Sequence, residues 1–569
     1  MSVTPEFDVI VVGSGAGGAM SALTLTRAGH RVLMLEAGRH YDPVAETPMF
    51  NRDIDAPLGN LPTEDRHPRF FDPIIGGAEI EGEPYVCADG TQYDWVRTRM
   101  LGGRTNAWWG FAPRFGPYDF KNRSRDGLGF DWPVTYNDIA PYYDRTEELV
   151  GMFGSSEGFE NEPGSPPGIL QPPPPLRAFE YFVQAGFASL GIPSKVAPTA
   201  ILTQPLEDRQ ACFYSTHCRR GCSIGAKFQT TTSFIPMALR TGNLTLRTDA
   251  MVIRVNTDAD GRATGVTYGN NKTGERIDVT ARAVVLAAST FETARIMMNS
   301  KSASHPHGLG SRSGQLGRNI ANTVNFLVDA QFPLLEDRPR YNEDGVSVPH
   351  MYIPWWGYED QKQGKLEFTR GYHFQVYGGM SEVPGVTTGP QIVNPELGYG
   401  AQLKAAARRR YGSIIRFEMF GEMIPNAEAY MDIDHSVLDK WGSPVVRFHW
   451  GITDSERAMV RHGMETAHKV IDRMGGVILP HDEAIGDKTT GAGGLHETGS
   501  ARMGDSPDNS VVNNVSQCWD VDNLVLADAS VFASHPHKNP TLTIMALSLR
   551  ASEALAQRVA VQKSQGGVR

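Results

Sequence analysis

The six residues Gly13-Ser14-Gly15-Ala16-Gly17-Gly18 constrain this chain more than any others. They fit the pattern G-x-G-x-x-G, and they stand where that pattern has a physical use. The β-branched run at 8–12 before them reads as a buried strand, and the apolar stretch at 19–28 after them reads as a helix. A second strand over 31–35 ends at Glu36, 18 residues beyond Gly18. Strand, helix and strand in this order predict a parallel sheet with helices on its faces. Gly13 permits the tight turn, Gly15 lets a pyrophosphate approach the backbone, and Gly18 lets helix and strand pack closely. The pyrophosphate then sits at the helix N-terminus, where unpaired N–H groups and the helix dipole favour it. Glu36, followed by Ala37, stands at the strand end, where its carboxylate accepts from ribose hydroxyls. The motif predicts a dinucleotide without separating FAD from NAD.

A chain of 569 residues exceeds what one hydrophobic core supports, so two or three structural units are expected. A net charge of −10 excludes the basic face that nucleic-acid binding needs. The one compact basic run, Arg408-Arg409-Arg410, reads as a solvated surface turn. No apolar run is long enough to span a bilayer. The first residues show no basic segment leading into a cleavable apolar stretch, which predicts a cytoplasmic chain. Residues 162–175, ending in four consecutive prolines, read as an irregular connection. Short strands are expected at 244–247, 251–255, 263–269 and 283–287, and a β-rich unit within 305–450. A helix is expected over about 454–474, with Thr453 and Glu456 at capping-box spacing. A buried strand at 521–527 and a helix from about 541 to 558 close the chain. Nucleotide-site signals therefore lie at both ends, and the nucleotide domain must be discontinuous.

Five ordered segments sharpen this picture. They are DVIVVGSGAGG…LEAG at 8–38, LGGRTNAWWG at 101–110, RAVVLAASTFETARIM at 282–297, HETGSARMG at 496–504, and NLVLADASVFASHPHKNPTLTIMALSLRASE at 523–553. By them the chain resembles the glucose–methanol–choline (GMC) oxidoreductases over nearly its whole length. The resemblance implies an α/β fold: a discontinuous Rossmann-like FAD-binding domain with an inserted β-rich substrate-binding domain. The first would use residues 1–45, 80–115, 200–300 and 480–569; the second, with cap segments, 46–79, 116–199 and 301–479. It implies FAD as the dinucleotide. Beyond the glycine turn, Glu36 and Ala37, it places Leu101, Gly102, Gly103, Asn106, Ala107, Val252, Ala288, Asp528 and Thr541 against the cofactor. Ala107 stands where some sugar oxidases of the family carry the histidine that bonds FAD, so the flavin is expected to be non-covalent.

Within the family, NPTLT at 539–543 is similar to the pyranose oxidases and bacterial sugar dehydrogenases, which pair a histidine with an asparagine at the flavin. The resemblance assigns those places to His496 and Asn539. The chemistry suits them. Oxidising a secondary alcohol removes a hydroxyl proton and a C–H hydride, and a neutral imidazole is the side chain best poised to take the proton. An amide holds the substrate oxygen without competing for that proton. Flavin N5 is the hydride acceptor. His535 and His537 are further candidates for the pocket, and Trp108 and Trp109 either wall the flavin or fill the core.

The reaction implied is oxidation of a ring secondary alcohol of a sugar or glycoside, at C3 by likeness to bacterial glucoside 3-dehydrogenases. Electrons would pass to a cytochrome or quinone-type carrier. Two other readings stay open: an oxidase of the pyranose or C-glycoside type using O2, and a flavin-stabilised subunit without turnover.

Cys212, Cys218 and Cys222 lie within eleven residues of one another, and thiolates so close are natural ligands for iron or zinc. Three thiolates suit a [3Fe–4S] cluster, and His217 would complete a zinc set. Reduced buried thiols or a disulfide are the remaining readings. The spacing is similar to a segment in the catalytic subunits of bacterial FAD sugar dehydrogenases, which implies an iron–sulfur centre carrying electrons out of the flavin. It also implies a small accessory subunit whose twin-arginine signal would export the folded pair to the periplasm. Cys87 and Cys518 read as core residues.

Overall fold

The computed structural model describes residues 5–46, 80–214, 218, 221–339, 350–379, 399–480 and 495–566. Residues 47–79 and 481–494, which the sequence assigns to the two domains, lie outside the described residues, as does His217.

The β-branched run forms the strand Phe7–Val12 in the middle of a seven-stranded sheet. It pairs in parallel with Val32–Leu35 on one side and with Arg276–Leu286 on the other. Leu244–Arg247 and Leu524–Leu526 extend the parallel part. Strands of one sheet thus come from three distant stretches of chain. Val9 to Val12 are buried, as a parallel strand covered on both faces must be.

Arg276–Leu286 is longer than the 283–287 expected, and its burial explains the shortfall. Residues 283–286 are all buried, whereas over 276–281 buried and solvent-facing positions largely alternate. The second half belongs to the parallel sheet. The first half carries an antiparallel meander with Ala263–Asn270 and Ala250–Thr257, and one face of it stays open. A search for apolar runs detects only the doubly covered half.

The second sheet has six strands, in the order Val477–Ile478, Val324–Gln331, Ile414–Gly421, Tyr372–Gly378, Met351–Ile353 and Lys195–Val196, all antiparallel. Its side chains alternate strictly. Phe326, Phe374, Phe417 and Met419 point to one face, where they meet Met459, Val460 and Val470 of the helix Asp454–Arg473 and Phe179 and Phe187 of Ala178–Ala188. Leu327, Gln375, Tyr377, Arg416, Glu418 and Phe420 point to the other. The register sets Leu327, Glu418 and Gln375 in one row and Asp329, Arg416 and Tyr377 in the next.

The capping box at Thr453 forms: the Thr453 N–H donates to Glu456 Oε2 at 2.7 Å and the helix starts at Asp454. The last helix is longer than expected, Thr541–Gly566. The basic run is not a turn. It ends the helix Ala401–Arg410, where cations complement the C-terminal dipole, and Arg409 pairs with Glu336 at 3.1 Å. No helix among the described residues is long and apolar enough to cross a membrane.

Candidate active site

A cavity of about 400 Å³ lies between the C-terminal ends of the parallel strands and the polar face of the second sheet. The glycine turn lines one part of it. Gly13 has φ of 98°, and a Cβ there would stand 2.2 Å from the Ala287 carbonyl oxygen. A Cβ on Gly17 would lie 1.7 Å from the Ala527 oxygen, and one on Gly18 2.0 Å from the Gly13 oxygen. The protein itself demands these three glycines. Gly15 differs: a Cβ there meets nothing within 4 Å, although its φ of −67° is open to any residue. The space kept clear is cavity, and no side chain caps the helix Ala16–Arg27 that begins there. An uncapped helix start beside a cleared backbone fits the pyrophosphate of a dinucleotide.

Glu36 lines the cavity and also ties the turn together. Its Oε2 accepts from the Ser14 N–H at 3.1 Å and from the Ser14 hydroxyl, and its Oε1 accepts from the Gly38 N–H at 2.8 Å. Burial raises the pKa of this carboxyl, against the pull of those donors. The Gly102 N–H donates to Ser14 Oγ at 2.8 Å, docking the 101–107 loop on the turn. Gly13 to Gly17, Ala37, Gly103, Ala107, Val252, Ala288, Asp528 and Thr541 all line the cavity with Glu36. Gly18, Leu101, Gly102 and Asn106 do not. Asn106 stands behind the wall, donating to the Leu101 carbonyl at 2.8 Å and accepting from Thr231 Oγ1 at 3.1 Å.

Sequence reasoning missed Arg97, Arg99 and Glu292, which line the same cavity. Arg99 Nε donates to Glu83 at 2.9 Å, and Arg97 lies over the Trp95 ring at 4.2 Å. Burial lowers the Arg97 guanidinium to about 10. No motif surrounds Arg97 and Arg99, and Glu292 lies within the 282–297 segment without having been singled out.

His496 and Asn539 come together at the cavity wall, from places 43 residues apart. The strand Thr498–Ser500 pairs with Arg318–Ala321, which brings His496 beside Asn322 and Thr323. The His496 N–H donates to Asn322 Oδ1 at 2.9 Å, and its Nδ1 lies 3.2 Å from Thr323 Oγ1. Asn539 Nδ2 donates to His496 Nε2 at 3.1 Å. Burial, helped by the charges of His535, His373 and Arg104, holds His496 well below the usual histidine range, so the ring is neutral. Asn539 precedes the last helix in a segment anchored by Lys538, whose buried ammonium meets Asp119 at 2.8 Å and Glu162 at 3.2 Å.

His535 and His537 are buried behind this pair and do not line the cavity. The His535 ring is 6.1 Å from that of His496, and His537 Nδ1 is 3.1 Å from His373 Nδ1. Trp108 lines the cavity and donates from Nε1 to the Phe228 carbonyl at 2.8 Å, while Trp109 meets Tyr377 edge to face at 5.1 Å. The polar face of the second sheet completes the wall opposite the glycine turn. Its signal was present in YHFQVYG at 372–378, where polar and apolar residues alternate, but alternation does not say what the polar face meets.

The cysteine expectation finds no support. Among the described residues, no three His, Cys, Asp or Glu side chains are grouped so as to hold a metal ion. Cys212, Cys218 and Cys222 are near neighbours, and none of them forms a disulfide. Cys212 Sγ accepts from the Tyr214 N–H at 3.2 Å, while the backbone N–H of Cys222 donates to Gln229 and the backbone carbonyl of Cys218 accepts from buried Lys227 at 2.7 Å. Burial and the neighbouring thiols push Cys212 up to about 12. The expected [3Fe–4S] cluster therefore has no support among the described residues.

The glycine cradle at one end of the cavity and the imidazole–amide pair at the other define a dinucleotide-dependent oxidoreductase. Models of the GMC oxidoreductase family match residues 7–324 and 425–548. The chain belongs to that family, and FAD is its dinucleotide. It is similar to 2-methyl-1,2-propanediol dehydrogenase of Mycolicibacterium austroafricanum, 29% identical over 97% of this chain and 96% of that one. It is also similar to the fructose dehydrogenase large subunit of Gluconobacter japonicus, 26% identical over 97% and 98%. A C-glycoside 3-oxidase of Microbacterium trichothecenolyticum is 27% identical over 56% of this chain and 55% of that one. A solved formate oxidase from Aspergillus oryzae has the same fold, with TM-score 0.64 over 98% of this chain and 99% of that one, at 14% identity.

Proposed function

We propose that this protein oxidises a ring secondary alcohol of a sugar or glycoside to a keto-sugar, with position C3 favoured. The observation that carries the reading is the neutral His496 held against Asn539 at the cavity wall. Bound FAD supplies the two-electron acceptor for the C–H hydride. His496 takes the hydroxyl proton at Nε2, and its Nδ1–H, set against Thr323 Oγ1, holds the ring in place. On binding, the substrate hydroxyl takes the place of the Asn539 N–H at Nε2, whose one lone pair serves one donor, and the displaced amide hydrogen holds the substrate oxygen. Trp109, Tyr377 and Phe420 offer apolar faces to the C–H side of a sugar ring, and Gln375, Arg416 and Glu418 offer hydrogen-bonding groups to its hydroxyls. Ala107 presents only a methyl group to the cavity, which supports non-covalent flavin. Electrons leave to an external acceptor; the carrier or O2 is decided by experiment.

The fructose dehydrogenase and C-glycoside 3-oxidase relatives support a sugar. The propanediol dehydrogenase, matched over the full chain, favours a second reading in which a small vicinal diol is the substrate. Anaerobic mixing of the yellow protein with methyl α-D-glucoside separates them. Its anomeric hydroxyl is blocked, so bleaching of the flavin band means oxidation of a hydroxyl away from C1, and product analysis then gives the carbon. Admitting air afterwards shows whether O2 reoxidises the flavin. Bleaching by 1,2-diols but by no sugar would replace the sugar reading with the second one.

A further inference from the structure

One chain of donors runs through the wall of the site and bears on which nitrogen of His496 is unprotonated. An amide nitrogen donates and does not accept. Asn539 Nδ2 faces His496 Nε2, so Nε2 is the accepting nitrogen and the neutral ring carries its proton on Nδ1, toward Thr323 Oγ1. Asn539 has a second orientation of nearly the same shape, with Oδ1 and Nδ2 exchanged. Gln375 excludes it. Its Nε2 donates to Asn539 Oδ1 at 3.1 Å and to His373 Nε2 at 2.9 Å, while the Tyr377 hydroxyl donates to its Oε1 at 3.1 Å. Both ends of the Gln375 amide are satisfied in this sense, with the Tyr377 hydroxyl as donor and His373 Nε2 as acceptor. His373, accepting at Nε2, donates in turn from Nδ1 to His537 Nδ1. Gln375 is buried, and strand alternation points it at the cavity from Tyr372–Gly378.

We propose that Gln375 is the positioning residue that sets the tautomer of His496: by holding the Asn539 oxygen it turns the Asn539 NH2 toward Nε2 and keeps that nitrogen unprotonated. The inference rests on the reading of His496 as the base. With the amide reversed, Oδ1 would face Nε2, two acceptors in contact, until the ring proton moved to Nε2. An Nε2–H nitrogen has no lone pair for a substrate hydroxyl proton. A side chain that need not touch the reacting atoms therefore decides whether the base exists.

The test uses the FAD-loaded full chain labelled with ¹⁵N-histidine, without substrate, at pH 8. The His496 signals are those missing from His496→Gln. The wild type should show a protonated Nδ1 and an unprotonated Nε2. Gln375→Glu places an acceptor-only carboxylate against Asn539 and should reverse the pattern, with flavin content kept and flavin reduction slowed by about 10²-fold or more. Gln375→Met removes the donor at similar volume and should give both tautomers with a smaller loss of rate. A wild type protonated at Nε2, or variants that keep the wild-type tautomer, would overturn the proposal. Loss of rate in a variant with the tautomer unchanged would mean that Gln375 only contacts substrate, which also overturns it. Undiminished flavin reduction in His496→Gln would instead remove the base reading, and the spectra would still report on the amide.

Discussion

Two substitutions two residues apart in the glycine turn should fail in opposite ways. Gly17→Ala would set a Cβ 1.7 Å from a backbone oxygen, well inside the 3.0 Å that real Cβ atoms respect. Backbone cannot swing aside as a side chain can, and such overpacking costs about 1–3 kcal/mol or more of stability. Gly15→Ala meets no protein atom within 4 Å and leaves a backbone with φ of −67° that alanine adopts freely. The apoprotein should keep its stability or gain about 0.4–1 kcal/mol, because the unfolded chain loses freedom. Its methyl group occupies the space kept clear for pyrophosphate, and about 1–3 kcal/mol of misfit weakens FAD by roughly 5- to 150-fold. The assay compares thermal midpoints of flavin-stripped proteins, since bound ligand itself stabilises, and then titrates FAD by fluorescence quenching. Wild-type FAD affinity in Gly15→Ala, or an apoprotein as unstable as that of Gly17→Ala, would refute the assignment of the cradle.

Four further outcomes are expected. His496→Ala should bind FAD normally and lose flavin reduction by about 10²–10⁴-fold in stopped flow; near-normal reduction removes it from the chemistry. His535 is lowered by burial from 6.5 to about 3, so its contribution to stability is complete above pH 6.5 and is lost as the pH falls from 6.5 toward 3. At pH 5 the loss is about 2 kcal/mol relative to pH 8, and in denaturant titrations His535→Leu should shrink the difference between the two pH values by that amount. Lys538→Met leaves Asp119 and Glu162 buried without their cation and should cost about 3–5 kcal/mol in denaturant unfolding, whereas a loss below 1 kcal/mol would show the anchor to be dispensable. Elemental analysis of anaerobically purified protein should find iron well below the flavin content; three irons per flavin would restore the cluster that finds no support among the described residues.

What the sequence revealed follows from how residue-specific each task is. A backbone at φ of 98°, or a helix against a strand with a Cβ position 2.0 Å from an oxygen, admits little but glycine, so the turn was legible. His496 and Asn539 were legible only through family motifs; nothing in their own spacing brings them together. Gln375 and Arg97 were not legible, since a strand pattern tells which face a residue takes and not what it meets there. Leu101, Gly102 and Asn106 were assigned to the cofactor because they share a loop with Gly103 and Ala107, yet that loop turns them into the protein. The cysteines misled for a related reason. Closeness along the chain is not a ligand geometry, and among the described residues no three side chains of ligating type are grouped to hold a metal ion.

The sheet that carries the glycine turn is not complete until late in the chain. Leu524–Leu526 pairs with the end of Arg276–Leu286, and Asp528 accepts from Thr293 Oγ1 at 2.6 Å across 235 residues. Tyr143 and Thr543, 400 residues apart, share another buried hydrogen bond. A ribosome that has released the first 300 residues has thus produced a turn able to recognise pyrophosphate but not the wall that would retain it. Flavin capture should come near the end of synthesis, and the waiting N-terminal half, with an unpaired strand edge beside Val284 to Leu286, is the stretch most in need of chaperone cover.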